Sequence, residues 1–190
     1  LAVAPVEHDG FKVNLLDAPG YADFVGELRA GLRAADCALF VVSATDGIDG
    51  STRALWEECA AVGMPRAVVV NKLDHQRADY AAALAACQEA FGERVLPLYL
   101  PVHGPDGVTG LLGMLSERLF DYSGGTRSEG EPGPDDLARL GDARGALVEG
   151  VIEESEDETL MDRYLSGEEI DVKVLIDDLE KAVSGATLFP

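Results

Sequence analysis

Two short polar clusters follow apolar, strand-like runs and carry residue types that can do chemistry. Asp17-Ala18-Pro19-Gly20 comes after Phe11 to Leu16, and Asn71-Lys72-Leu73-Asp74 comes after Arg66 to Val70. In a D-x-x-G pattern the aspartate can hold a magnesium ion through a water. The glycine has no Cβ, so its N–H can approach a terminal phosphate oxygen, and Pro19 stiffens that approach. In an N-K-x-D pattern, Asp74 can accept two hydrogen bonds from the N1–H and exocyclic amine of guanine, a donor pair adenine lacks. The Lys72 stem can lie against the base, and the Asn71 amide can tie neighbouring loops together. Either cluster alone is a weak signal: the first could be a strand-terminal Asx turn, the second a capped turn before a helix. Together, in this order, they point to Mg²⁺ and a guanine nucleotide.

One part of such a site is missing from the sequence. A phosphate-gripping loop, G-x-x-x-x-G-K-[ST], needs a Gly-Lys pair. The four lysines follow Phe11, Asn71, Val172 and Glu180, so there is none. The chain also opens at Leu1 in what reads as mid-strand. The expectation is a piece whose first strand, P-loop and first switch lie upstream.

The elements that must position the two clusters follow from hydrophobic patterning. Leu1 to His8 and Phe11 to Leu16 read as strands joined by Asp9-Gly10, a favoured type I′ hairpin loop. Asp23 to Ala35 has Phe24, Leu28 and Leu32 at helical spacing. Cys37 to Val42 and Ala67 to Val70 read as parallel strands buried on both faces. Ser51 to Val62, closed by Gly63 and Pro65, and Ala78 to Phe91, closed by Gly92, read as helices. This alternation predicts an α/β fold, a mostly parallel doubly wound sheet with one antiparallel edge hairpin.

Beyond Arg94 the character changes. Val95 to Val102 is strand-like but interrupted by Pro97 and Pro101, and the turn-rich run His103 to Gly107 follows. Leu111 to Tyr122 suits paired short strands or a helix. Ser123 to Pro134 reads as a flexible loop. Helical patterning starts at Asp135 and continues through Leu160 to Leu165 and Val172 to Val183, and Ala186 to Pro190 reads as a departing strand. The predicted division is residues 1–93, a partial nucleotide-binding core, and 94–190, an α+β insertion.

Composition narrows the function classes. The net charge of −20 is uneven: Glu129 to Pro190 holds 18 acidic and 5 basic residues, net −13. Such a surface repels phosphate backbones and disfavours direct nucleic-acid binding, whereas a basic protein partner suits it. No apolar run approaches the roughly 18–20 residues of a membrane span. Cys37, Cys59 and Cys87 lack C-x-x-C spacing, and His8, His75 and His103 are isolated, so reduced buried thiols in a cytoplasmic protein are expected.

These residues resemble the translational GTPases, specifically elongation factor G and its paralogues. Val3 to Glu7 and Asn14 to Phe24 are similar to the hairpin leading into D-T-P-G-H-x-D-F. Val42 to Ile48, with Trp56 downstream, resembles a second strand-loop, and Val70 to Asp74 resembles V-N-K-M-D. Leu160 to Glu169 is similar to a helix of the G′ subdomain, reading roughly L-M-E-K-Y-L-E-G-E-E. The resemblance implies an incomplete P-loop-type GTPase domain plus a G′ insertion, with GTP/GDP and Mg²⁺ as ligands. Asp17 would serve the metal through water, Gly20 the γ-phosphate, and Asn71, Lys72 and Asp74 the base. It implies GTP hydrolysis coupled to ribosome binding in the intact parent, and inactivity of this piece alone. Two positions depart from the pattern: Ala18 replaces Thr, and Tyr21 replaces the His that orients the attacking water. A phenol has a pKa of about 10 and a different reach, so that role does not carry over to Tyr21 by resemblance.

The acidic run Glu153-Glu154-Ser155-Glu156-Asp157-Glu158 reads either as a solvated helix start or, through the resemblance, as a docking face for the basic domain of the ribosomal stalk protein. Two other functions stay open: a non-catalytic ribosome or stalk interaction module, and a ribosome-protection or release-factor type of translational GTPase.

Overall fold

The computed structural model describes residues 1–104 and 107–190. Strands β1 (Ala2–His8) and β2 (Phe11–Asp17) pair antiparallel, with Val6 opposite Val13 and His8 opposite Phe11. Their loop is Asp9 and Gly10, at φ 47° and 81°, the two positive angles a type I′ turn requires. A 3₁₀ turn (Ala22–Phe24) leads into α1 (Val25–Leu32). Next come β3 (Ala38–Ser43), α2 (Gly50–Ala61), β4 (Arg66–Asn71) and α3 (Tyr80–Phe91). Both longer helices start on an aspartate cap: Asp49 accepts from the Thr52 amide at 2.7 Å and Asp79 from the Ala82 amide at 2.9 Å. Each cap satisfies one of the orphan donors of a first turn.

β3 and β4 run parallel, from Ala38 opposite Arg66 to Ser43 opposite Asn71. Two expectations are corrected here. The hairpin forms its own two-stranded ladder rather than an edge of the parallel pair. The parallel strands are not buried on both faces: Leu39 and Val41 are 57% and 60% exposed, and Val69 is also exposed. The reason is one-sided cover. Phe40, Val42, Val68 and Val70 pack with Trp56 of α2 and with Cys87 and Phe91 of α3, while the alternate residues point the other way, as the pleat demands. Cys59 and Cys87 are buried free thiols as expected, but Cys37, just ahead of β3, is exposed.

Strands β5 (Tyr99–Gly104), β6 (Gly107–Gly113), β7 (Leu119–Asp121) and β8 (Ser128–Gly130) form an antiparallel meander in chain order. The strand expected from Val95 begins only at Tyr99, beyond Pro97, whose nitrogen has no hydrogen to donate to a ladder. In the turn-rich run His103 to Gly107, Pro105 and Asp106 lie outside the described residues. Leu111 to Tyr122 resolves into paired strands. The segment expected as loop from Ser123 to Pro134 contains β8, because Asp121 to Leu119 offers a ladder edge to Ser128 to Gly130.

Helices α4 (Pro134–Glu153), α5 (Thr159–Leu165) and α6 (Val172–Ser184) complete the chain. They pack with the meander around Leu112, Met114, Leu147, Val148, Val151, Leu160 and Leu175. A second core gathers Val42, Trp56, Cys87, Phe91, Val95 and Phe189. Adjacent residues therefore part company: Val95 joins one core and Leu96 the other, and Phe189 and Leu188 divide the same way. Gly150 packs against the crossing. A Cβ there would press on Cδ1 of Leu96 and displace that side chain.

The terminal segment expected as a strand, Ala186 to Pro190, is tied in by a few backbone bonds, with Phe189 N–H donating to the Arg94 carbonyl and Leu96 N–H to the Phe189 carbonyl, each at 3.0 Å. Val68 N–H donates to the Pro190 carbonyl at 2.8 Å, and Phe189 bridges Val95 in parallel. The acidic run also differs from its reading as a helix start. Glu153 ends α4 and Glu154 caps its C-terminus, where the macrodipole disfavours negative charge. Arg94 offsets this, with one guanidinium nitrogen 3.2 Å from Glu153 and 2.9 Å from Glu154. Only the later part of the run, ending at the Glu158 cap, precedes a helix, α5.

Candidate nucleotide-binding site

The parallel pairing of β3 and β4 ends at Ser43 and Asn71, so the loops that follow both strands emerge at one carboxyl end. In open α/β sheets that end is where ligands bind. The Asn71 carbonyl accepts from the Ala44 amide at 2.9 Å, and the Ala44 carbonyl accepts from the Asp79 amide at 3.1 Å. The loop carrying Asn71, Lys72 and Asp74 is thus stitched to the loop after β3. The Asn71 side chain, expected to tie the loops, instead accepts from the Lys72 amide at 2.8 Å. The tie runs through its main chain.

Lys72 has φ +61°, an uncommon conformation for a long side chain. Its ammonium lies 3.4 Å from Oδ2 of Asp46 in the loop after β3. Asp74 is exposed on the same loop as Lys72.

The other cluster meets the first turn of α2. Asp17 ends β2 and is exposed. The Ser51 hydroxyl, in the first turn of α2, lies 3.5 Å from the Gly20 carbonyl. Tyr21 is 75% exposed, and its carbonyl accepts from the Phe24 amide at 2.9 Å, shaping the 3₁₀ turn. The segment from the end of β3 into α2 therefore touches both clusters, Asp46 meeting Lys72 and Ser51 meeting the Gly20 carbonyl. Sequence reasoning assigned that segment no site residue, although a polar Thr45-Asp46-Gly47 between an apolar run and a helix cap was a usable signal.

Among the described residues no group of three or more His, Cys, Asp and Glu could hold a metal ion by itself. A single exposed carboxylate at Asp17 fits a cation that keeps several waters and takes its remaining ligands from substrate phosphates, the habit of Mg²⁺.

Arg66, at the start of β4, is buried without a carboxylate partner among the described residues. Its guanidinium lies 4.5 Å from the Trp56 ring centroid and 4.2 Å from that of Phe189, and burial pushes its pKa down.

The chain belongs to the elongation factor Tu GTP binding domain family, whose family model matches residues 1–183. It is 62% identical over 190 residues to two curated proteins described as "Elongation factor G-like protein", from Mycobacterium tuberculosis strains CDC 1551 / Oshkosh and ATCC 25618 / H37Rv. Those alignments take 100% of this chain and 26% of each relative, so the chain spans about a quarter of their length. A crystal structure of a protein from Thermus thermophilus matches with a TM-score of 0.86 and 38% identity, over 99% of this chain and 28% of that one.

Proposed function

We propose that the chain supplies the base-reading and switch portion of an elongation-factor-G-like GTPase, together with its G′ insertion. Asp17 would hold Mg²⁺ through water and Gly20 would donate its N–H to the γ-phosphate. Asn71 shapes the base loop, the Lys72 stem faces the ring, and Asp74 reads the guanine edge. When bound, the metal would neutralise charge on the transferring phosphoryl group. The division into a core over residues 1–93 and an insertion over 94–190 belongs to this reading, as do the mostly parallel sheet completed by a P-loop strand and hydrolysis coupled to the ribosome. The phosphate-gripping loop would come from the part of the relatives' length outside this span.

The observation that supports the reading best is that the segment running from β3 into α2 contacts both clusters, through Asp46 to Lys72 and through Ser51 to the Gly20 carbonyl. Asp74→Asn tests it. In the full-length protein carrying this segment, the substitution should weaken GTP binding and shift preference toward xanthine nucleotides. The amide can donate to a 2-oxo group that a carboxylate repels. Unchanged guanine preference would remove Asp74 as base reader.

A further inference from the structure

The carboxylate of Asp46 is held more firmly than its exposure requires. Its Oδ2 accepts from the Ser43 hydroxyl at 2.7 Å. That hydroxyl is in turn 2.9 Å from the Thr45 hydroxyl and 3.3 Å from the Thr45 amide. The same Oδ2 receives the Lys72 ammonium from the next loop. Hydrogen bonds from Ser43 and Thr45, with the Lys72 ammonium beside them, hold the Asp46 carboxyl below its ordinary range. It is therefore ionised throughout the neutral range.

This arrangement fixes both ends of one side chain. The Lys72 backbone is set in the left-handed region, with its amide bonded to Asn71, and its ammonium is anchored across the gap to the loop after β3. A lysine stem with one free end samples many rotamers, and immobilising it on binding costs conformational entropy. The ion pair restrains the free end of that stem, on the loop that also carries Asp74.

We propose that Asp46 is a positioning residue for base recognition. It anchors the Lys72 ammonium so that the lysine stem is presented to the face of the base while Asp74 reads its edge. This rests on the guanine-binding reading above. The role predicts a contribution that is independent of which groups the base edge carries and that disappears when Lys72 has no ammonium to anchor.

The test is a binding cycle in the full-length protein carrying this segment, with guanosine and inosine diphosphates as probes. Inosine lacks the exocyclic amine. Asp46→Asn should weaken both by the same factor, about twofold to fivefold, the range of an exposed ion pair. Asp46→Glu should recover part of the loss. In a Lys72→Met background Asp46→Asn should have no further effect, with the melting temperature unchanged. An equal Asp46→Asn penalty with and without Lys72, or no penalty at all, would overturn the anchoring role. So would tighter binding, which would mean that Asp46 competes with the nucleotide for Lys72. Asp74→Asn in parallel separates the two levels. If it alters base preference while Asp46→Asn does nothing, only the anchoring fails; if it leaves base preference intact, the base-reading assignment fails first and anchoring with it.

Discussion

The guanidinium of Arg66 lies 4.2 Å from the centroid of the Phe189 ring, joining the first residue of β4 to the final segment of the chain. Trp56 also contacts it, and Arg66 Nη1 donates to the Trp56 carbonyl at 3.5 Å. The Nε atom is buried with no partner among the described residues. A buried cation between two rings gains from their quadrupoles, about 2 kcal/mol when desolvated, but pays for its lost hydration.

Arg66→Ala should therefore destabilise the chain by about 2–4 kcal/mol, because it empties the slot between the rings. Arg66→Met fills the slot without a buried charge and should stay within about 1 kcal/mol of the original. Urea unfolding of both variants distinguishes packing from charge: equal losses would mean the cation itself holds Trp56 and Phe189 together.

Tyr80, the first residue of α3, donates its hydroxyl to the Tyr99 carbonyl at 2.9 Å, and burial pushes its pKa up from 10.0 to about 12. Well below pH 10.0 the phenol is protonated folded or unfolded, so it adds no pH dependence. Between pH 10.0 and about 12 the unfolded chain ionises this group and the folded chain does not, so stability falls as pH rises through that window. Tyr80→Phe should remove that alkaline loss while costing about 1 kcal/mol at neutral pH. Identical alkaline unfolding curves would show that Tyr80 does not set the slope.

The 190-residue chain alone should bind GTP more weakly than about 1 μM, some −8 kcal/mol, and should hydrolyse none. It has Asp17, the proposed metal carboxylate, but no Gly-Lys loop. Titration with a fluorescent GTP analogue checks this, and tight Mg²⁺-dependent binding would show that the chain itself holds the phosphates.

In the full-length protein, Tyr21→His should raise ribosome-stimulated hydrolysis at least about tenfold, some 1.4 kcal/mol of barrier. The exposed position of Tyr21 leaves room for the imidazole. No gain at unchanged nucleotide affinity would locate the difference elsewhere in the switch, with Ala18 the first suspect.

The acidic run calls for a more selective test than reversal of every glutamate. Glu153 and Glu154 are paired with Arg94, so reversing them would disturb the crossing between the two cores. Glu156→Lys with Glu158→Lys leaves those pairs alone. If the run docks a basic partner, this double reversal should weaken association with a purified basic stalk domain, and added salt should weaken it further. Affinity indifferent to both would make the run a solubilising surface.

What was legible in the sequence was local. Asp9-Gly10 specified its turn, Gly92 ended its helix, and the two motifs marked the family because each requires fixed residue types at fixed spacing. What was not legible depended on neighbours. The apolar run of β3 reads the same whether one face or both are covered, so the exposure of Leu39 and Val41 could not be seen. Ser128 to Gly130 has little strand propensity and pairs only because β7 offers it an edge. Nothing in the sequence distinguishes Arg66 from a surface cation; only the folded chain closes Trp56 and Phe189 over it. The tie from Asp46 to Lys72 joins loops that are distant in sequence and adjacent only once β3 and β4 pair.

The chain leaves the core of Trp56 at Val95 and returns to it at Phe189, and these two passages lie side by side in a parallel bridge. Everything between them enters and exits through a doorway two backbones wide. In the division proposed above, the start and the end of the insertion are therefore held against one another, so a displacement at either passage is felt by the other. The same pairing gives any force on the insertion a lever arm that ends beside Trp56 and Phe91, under the strand that carries Asn71.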